Sequence, residues 1–263
     1  MSVEFIGQSA AHSEATTALF VEVPADVLAG DLLLAAIATT SSIFSPPVGW
    51  RQHQGVPMDH NGGADPFFAY LFSRVAEEGD AGSSILWLFN GALQHQGSMI
   101  AYRSTFVGVV SPDDHGPLLK EINVQAIIDA IGTISLAFNG FQVDADTRIV
   151  YLNMRRTVGV FGAVAPLAGT TERQDLQEPA SGFASFLAEE NVILPADIEG
   201  GNSIFEVPDD TGPESYVGFA VGISDGPSGH GGGQGRGHGK GKIEKRIGRA
   251  GMFRRDFWEE MRR

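Results

Sequence analysis

The chain has 263 residues, 43% of them hydrophobic, with 34 glycines, 13 prolines and no cysteine. That length and apolar content suit one large all-β domain or two small ones; disulfides and thiolate metal sites are excluded, and no window of about 18 apolar residues could cross a membrane as a helix. The formal charge of −14 is unevenly placed: residues 225–263 hold 10 of the 18 Lys/Arg and 5 of the 32 Asp/Glu, so a body of net −19 precedes a tail of net +5. An acidic body stays in solution and is a poor partner for nucleic acid, whereas a basic tail finds acidic surfaces by Coulomb attraction.

The start, MSVEFIGQSAAHSE, carries an acid at position 4 and lacks the basic-then-apolar run of an export signal. Residues 15–23 alternate as a strand that Pro24 ends. Ala25–Gly30 is a turn, and Asp31–Thr40 contains an unbroken apolar run, Leu32 to Ala38. With no charged face and with turn residues on both sides, that run is expected to be a strand covered on both faces.

Ser45-Pro-Pro-Val-Gly-Trp50 leads into a further strand, its prolines in the connection because they cannot donate to a ladder. Trp50 is expected to bury its ring and place its indole N–H on a partner. Gln54–Pro66 reads as a long polar loop, of the kind that carries function. Phe67–Ala76, Ser84–Asn90 and Ser98–Ser104 read as strands, with Gly91–Gly97 a loop between the last two.

Phe106–Lys120 is irregular. Ile122–Gly132 reads as strand rather than helix, and Thr133–Phe138 and Thr147–Met154 as strands. Val158–Gly162 is a short apolar segment and Thr170–Asp175 a polar edge. Phe183–Glu190, Ser203–Val207 and Tyr216–Ser224 complete the body.

The order of features in the first half returns in the second at offsets of 115 to 120. Gly30-Asp31 and its apolar run face Asp146 and Arg148–Leu152; Gly49–Gln52 faces Gly169–Arg173; Phe68–Phe72 faces Phe183–Leu187; Met99–Tyr102 faces Val217–Ala220. The expectation is one body, residues 1–224, an antiparallel β-sandwich built from two similar runs of strands.

Composition changes after Ser224. Residues 225–242, rich in glycine, read as a flexible linker. In residues 243–263, Ile243, Ile247, Ala250, Phe253, Phe257 and Met261 recur at helical spacing, and Gly248 and Gly251 each weaken the helix by about 1 kcal/mol relative to Ala. A weak amphipathic helix with a basic face beyond a tether is expected to order on a partner. The partner-binding residues of this anchor are Ile247, Phe253, Arg254, Arg255, Phe257, Trp258 and Met261.

Motifs of chemistry are sparse. The seven histidines show no metal-ligand spacing; Asp59-His60 and Asp113-Asp114-His115 read as turns, and His230 and His238 lie in the linker. No nucleophile elbow, phosphate loop or dinucleotide fingerprint is present. Asp144-Ala145-Asp146 supplies too few oxygen ligands for Ca²⁺. The expectation is therefore no catalytic residue, no metal and no cofactor.

The framework residues are similar to a known pattern. Ala29-Gly-Asp-Leu-Leu-Leu-Ala35, Pro47-Val-Gly-Trp50, Tyr70–Ala76, Ala101-Tyr-Arg103 and Gly169-Thr-Thr-Glu-Arg173 together resemble jelly-roll, concanavalin/laminin-G-like β-sandwich domains of bacteriophage structural proteins. The resemblance spans about residues 15–224. It implies a non-enzymatic virion component, a capsid decoration, head fibre, tail tip or fibre module, made in the host cytoplasm. Its partners would be other virion proteins and further copies of itself, as a trimer by analogy with virion projections. The alternative is a carbohydrate- or host-receptor-binding module using the loop Gln54–Pro66.

Overall fold

A computed structural model describes residues 3–40, 44–60, 65–104, 119–130, 133–137, 142–143, 147–157, 171–178, 183–192, 196–197, 202–206 and 214–224. The chain divides into two compact units, Met1–Ser228 and Gly229–Arg263, and every described residue belongs to the first. All of its described elements are strands, and every pairing is antiparallel. No described helix is long and apolar enough to cross a membrane.

The first sheet is built from β1 (Val3–Glu22), β2 (Leu32–Thr39), β3 (Phe44–Ser45), β4 (Arg51–His60), β5 (Asp65–Val75) and β6 (Ser84–Ser104). Its order is β1-β6-β2-β5-β4, with β3 on β6. As its unbroken apolar run predicts, β2 is central and buried along its whole length. Leu32, Leu34, Ala36 and Ala38 enter one apolar cluster, and Leu33, Ala35 and Ile37 enter another. The period of two along a strand delivers alternate residues to opposite faces.

The second cluster exists because the first sheet curls over itself. From Val3 to Ser13, β1 pairs with the far half of β6, Ser104 back to His95. The register then shifts on either side of Thr16, and Ala15 takes a positive φ of 49°. Beyond this corner Ala18–Glu22 pairs with Leu88–Ser84, and this second stretch, the flap, lies across the outer face of the sheet. Leu19, Val21, Trp87 and Phe89 turn inward onto Leu33, Ile37 and Met99. The approach is so close that a Cβ on Gly97 would sit 2.7 Å from Val21 Cγ2 and 2.9 Å from both Leu19 Cδ2 and Ile37 Cδ1. Only glycine fits there.

The second sheet comprises β7 (Leu119–Ala130), β10 (Thr147–Thr157), β11 (Thr171–Glu178), β12 (Phe183–Val192) and β15 (Glu214–Ile223). Taken from β7, its order is β7-β15-β10-β12-β11. That is the order of the first sheet with β7 in the place of β1, β15 of β6, β10 of β2, β12 of β5 and β11 of β4. Each predicted run of strands therefore builds one sheet.

Two small ladders accompany the second sheet. The small ladders β8–β14 (Thr133–Ala137 with Asn202–Glu206) and β9–β13 (Gln142–Val143 with Ala196–Asp197) continue the β10–β12 register without slip. Thr147 faces Val192, Val143 faces Ala196, and Thr133 faces Glu206. A straight ribbon would carry Thr133 roughly 80 Å from Thr157, at about 3.3 Å per residue. Yet Ala130 pairs with Glu214, which itself pairs with Thr157, and Thr133 follows Ala130 by three residues. The described ladders therefore do not lie along one straight ribbon, and the outward-turned Tyr151, Asn153, Arg155 and Tyr216 of the second sheet are buried.

The inward faces of the two sheets share one cluster. Leu34, Leu71, Ile100 and Tyr102 come from the first, and Val150, Leu152, Val217, Phe219 and Val221 from the second. Strand β1 approaches β11, and β4 approaches β7. Under the strand equivalence these are one contact made twice, the reciprocity of a local two-fold relation.

Several expectations are corrected. Gln54–Pro66 is not a long loop: Arg51–His60 and Asp65–Val75 are paired strands, and residues 61–64 lie outside the described residues. The polar, Pro57-bearing stretch is an edge strand, where a missing N–H costs least. Gly91–Gly97 is part of β6 rather than a loop. The repeat is also offset from its residue-by-residue matching. Met99 faces the flap whereas Val217, matched to it, enters the shared core, and a one-residue slip reverses every side chain of a strand. The predicted strands at Ile122–Gly132 and Thr170–Asp175 correspond to β7 and β11, both edges of the second sheet. The linker, the terminal helix and Val158–Gly162 lie outside the described residues.

Candidate functional site

The framework motifs fold against one another. Asp31, 2% exposed, accepts from Arg103 Nε at 2.9 Å and from Arg103 Nη2 at 2.8 Å, and its Oδ2 also accepts the backbone N–H of Leu28 at 2.8 Å. Arg103 Nη2 donates onward to the carbonyl of Asp26 at 3.0 Å. The hydrogen bonds that it donates to Asp31 hold the Arg103 guanidinium above its ordinary pKa. One carboxylate thus closes the turn before β2 and ties it to the end of β6.

Arg74 makes the matching link at β5. Its Nη2 lies 2.5 Å from Asp80 Oδ2, which also accepts from the backbone N–H of Glu77 at 2.6 Å. The guanidinium sits 5.5 Å from the centre of the Trp50 ring, within cation–π range. Trp50 is buried as predicted and packs 5.1 Å from Trp87. Its indole N–H, however, meets no acceptor among the described residues, a correction to the expected partner. The ring is held by stacking and apolar contact instead.

Two histidines escaped the sequence reading because their partners are distant in the chain. His95 stands at the corner where β1 and β6 bend into the flap. Its Nε2 lies 3.0 Å from the Thr16 carbonyl, and its Nδ1 lies 2.8 Å from Thr39 Oγ1. Because a carbonyl only accepts, Nε2 donates to Thr16, while Nδ1 and the Thr39 hydroxyl, which can donate or accept, share the second bond. Burial lowers its pKa, and it stacks on Phe89 at 3.6 Å. His53 sits at the β4 bulge, with Nε2 2.6 Å from Ser73 Oγ. A Ser–His pair invites a nucleophile reading, but Ser73 is wholly buried and no substrate reaches it; the bond fastens the bulge to β5.

In the second sheet, buried Glu214 accepts from the Tyr216 hydroxyl and lies 3.9 Å from Arg155 Nη1. Burial first, and then the carboxylate, raise the Tyr216 pKa, so the phenol stays protonated. Toward the shared core, Arg156 Nη1 donates to Gln94 Oε1 at 3.0 Å. These groups brace a buried layer.

No known relative marks a site on this chain. Comparison found no match to a family model, a curated protein or a solved structure.

What remains is a surface. On the outer face of the flap Phe20 is 58% exposed, Leu88 50% and Leu86 39%, with Leu93 at 40% nearby. Phe20 pairs directly with Leu86, and Ala18 with Leu88. Periodicity had marked residues 15–23 and 84–90 as strands, but not that the fold would leave one apolar face uncovered. The predicted anchor residues Ile247, Phe253, Arg254, Arg255, Phe257, Trp258 and Met261 lie outside the described residues, as do His230, His238, Asp113, Asp114, His115, Asp144 and Asp146. Among the described residues no group of three or more His, Asp or Glu gathers to hold a metal ion.

Proposed function

We propose that the protein is a structural component of a bacteriophage particle, a jelly-roll-like β-sandwich that acts by attachment rather than by catalysis. The observation that carries this reading is the apolar row of the flap, Phe20, Leu86 and Leu88, exposed on a body of net charge −19. Contiguous exposed apolar side chains on a protein surface mark an interaction site. The ionisable groups on the framework motifs favour the same reading, because Asp31, Arg103, Arg74 and Asp80 are engaged in holding the fold.

In this reading the body is made in the host cytoplasm and joins other virion proteins. The terminal segment, through Ile247, Phe253, Phe257, Trp258 and Met261 with Arg254 and Arg255, supplies a second attachment. Many copies on one particle make each weak contact effective through avidity.

The test is competition for incorporation. The full chain and a chain ending at Asp225 are co-expressed during infection, and purified particles are quantified by mass spectrometry. The full chain is expected at fixed stoichiometry and the short one to be depleted. Equal incorporation removes the anchor; absence of both from particles removes the virion reading.

A further inference from the structure

The flap strands carry a pattern that the fold uses on one side only. Leu19, Val21, Trp87 and Phe89 face inward, and Ala18, Phe20, Leu86 and Leu88 face outward. Apolar residues on both faces are the signature of β2, whose two faces are both covered. A half-covered antiparallel strand ordinarily alternates apolar with polar. The outer face of the flap therefore has the composition of a buried surface and the exposure of a free one.

Its border carries exposed acids, while the nearby Arg103 and Arg74 are engaged by Asp31 and Asp80. Glu22 ends the flap strand of β1, Asp26 lies in the bend after it, and Glu77 and Glu78 lie in the bend before β6; all four are exposed. No Lys or Arg occurs in residues 1–50 or in residues 75–102. The flap face of a second copy would bring the same acids against these, and like charges at a contact disfavour that face-to-face pairing.

We infer that the outer face of the flap is a docking surface for a protein segment whose apolar side chains are bordered by Lys or Arg. The apolar side chains cover Phe20, Leu86 and Leu88, and the basic ones meet Glu22, Asp26, Glu77 and Glu78. The inference rests on the attachment reading above and adds the chemistry of the partner.

The experiment uses the full chain and two labelled ten-residue probes, an alternating Leu-Lys peptide and an alternating Leu-Glu peptide, followed by fluorescence anisotropy. The Leu-Lys peptide is expected to bind and the Leu-Glu peptide not to. Phe20→Ser with Leu88→Ser is expected to weaken binding about tenfold or more, as loss of central apolar contacts does. Glu22→Gln with Glu77→Gln and Glu78→Gln is expected to weaken it and flatten its salt dependence. Thr171→Ala, at an exposed residue on the edge strand β11 of the second sheet, serves as the control and leaves binding unchanged.

Binding that ignores the Phe20 and Leu88 changes would reduce the effect to attraction by the acidic body and overturn the inference. Equal binding of both peptides, or none of either, would overturn it too. So would a full-chain dimer in sedimentation equilibrium that the Phe20 and Leu88 changes abolish, since the row would then belong to a second copy. A chain that enters particles normally but fails these arms keeps the attachment reading while losing the partner assigned here.

Discussion

Asp31 shows why a framework residue can look like a site residue in a sequence. A lone acid before seven apolar residues could bind a cation or a substrate; here its oxygens are used by Arg103 and by the turn N–H of Leu28. Removing one partner of a buried ion pair costs about 3–5 kcal/mol, but Arg103 is 31% exposed and water recovers part of that. Asp31→Ala is expected to lower unfolding stability by about 2 kcal/mol in urea titration, with Asp31→Asn between it and the native chain. No change would mean the pair is a surface ornament. His95 gives a prediction of opposite character. Burial puts its folded pKa below the ordinary 6.5, so the unfolded chain binds the proton first. Its contribution to stability is complete above about pH 6.5 and is lost as pH falls toward the folded value. The stability difference between the native chain and His95→Gln should thus shrink on acidification below that point; a difference flat from pH 7.5 to about 5 would show that the ring does not titrate with unfolding.

At the scale of elements, the flap depends on Gly97. Gly97→Ala places a methyl group against Val21, Leu19 and Ile37, and overpacking of this kind costs about 1–3 kcal/mol. Hydrogen exchange should show faster opening in Ala18–Val23 and Ile85–Phe89, with β2 remaining among the most protected strands because both of its faces are covered. Uniform acceleration across the first sheet would show that the flap does not open on its own. This element also marks where sequence reading succeeds and where it stops. The unbroken apolar run of β2 announced a strand buried on both sides, and its neighbour β5 was equally legible, as was β15 in the second sheet. The edge strand β4 was not, because Gly55, Pro57 and its polar residues have the local chemistry of a loop and only pairing with β5 makes them strand. Nor was the corner at Thr16, whose bend depends on His95, 79 residues away. The docking face was hidden for a related reason. Each strand of the flap was visible, but exposure is decided by what the rest of the chain leaves uncovered.

The whole molecule is two passages through one plan, and its sharpest prediction concerns the division between them. Strands β1–β6 complete the first sheet before Ser104, and β7–β15 complete the second after Leu119. Among the described residues no ladder crosses that boundary; the sheets meet through side-chain packing in the shared core and the Arg156–Gln94 hydrogen bond. The order of features in the two halves was readable as a weak echo, yet the matching was out by one residue in places, because low identity does not register the face of a strand. The topology restores the match and gives it a physical consequence. If each sheet is a complete product of its own half, a break in the covalent chain between Ser104 and Leu119 removes only a connection. Residues 1–111 and 112–228, expressed together as separate chains, should assemble one to one, detected as a single species of the summed mass by light scattering. Phe219→Ala in the second fragment should weaken that association, since deleting a buried Phe side chain costs about 3–5 kcal/mol. Expressed alone, each fragment presents the apolar face that the other normally covers, and it should self-associate or aggregate. Two fragments that each remain monomeric and folded would show that the sheets do not need one another, and the shared cluster would lose its place as the core of the molecule.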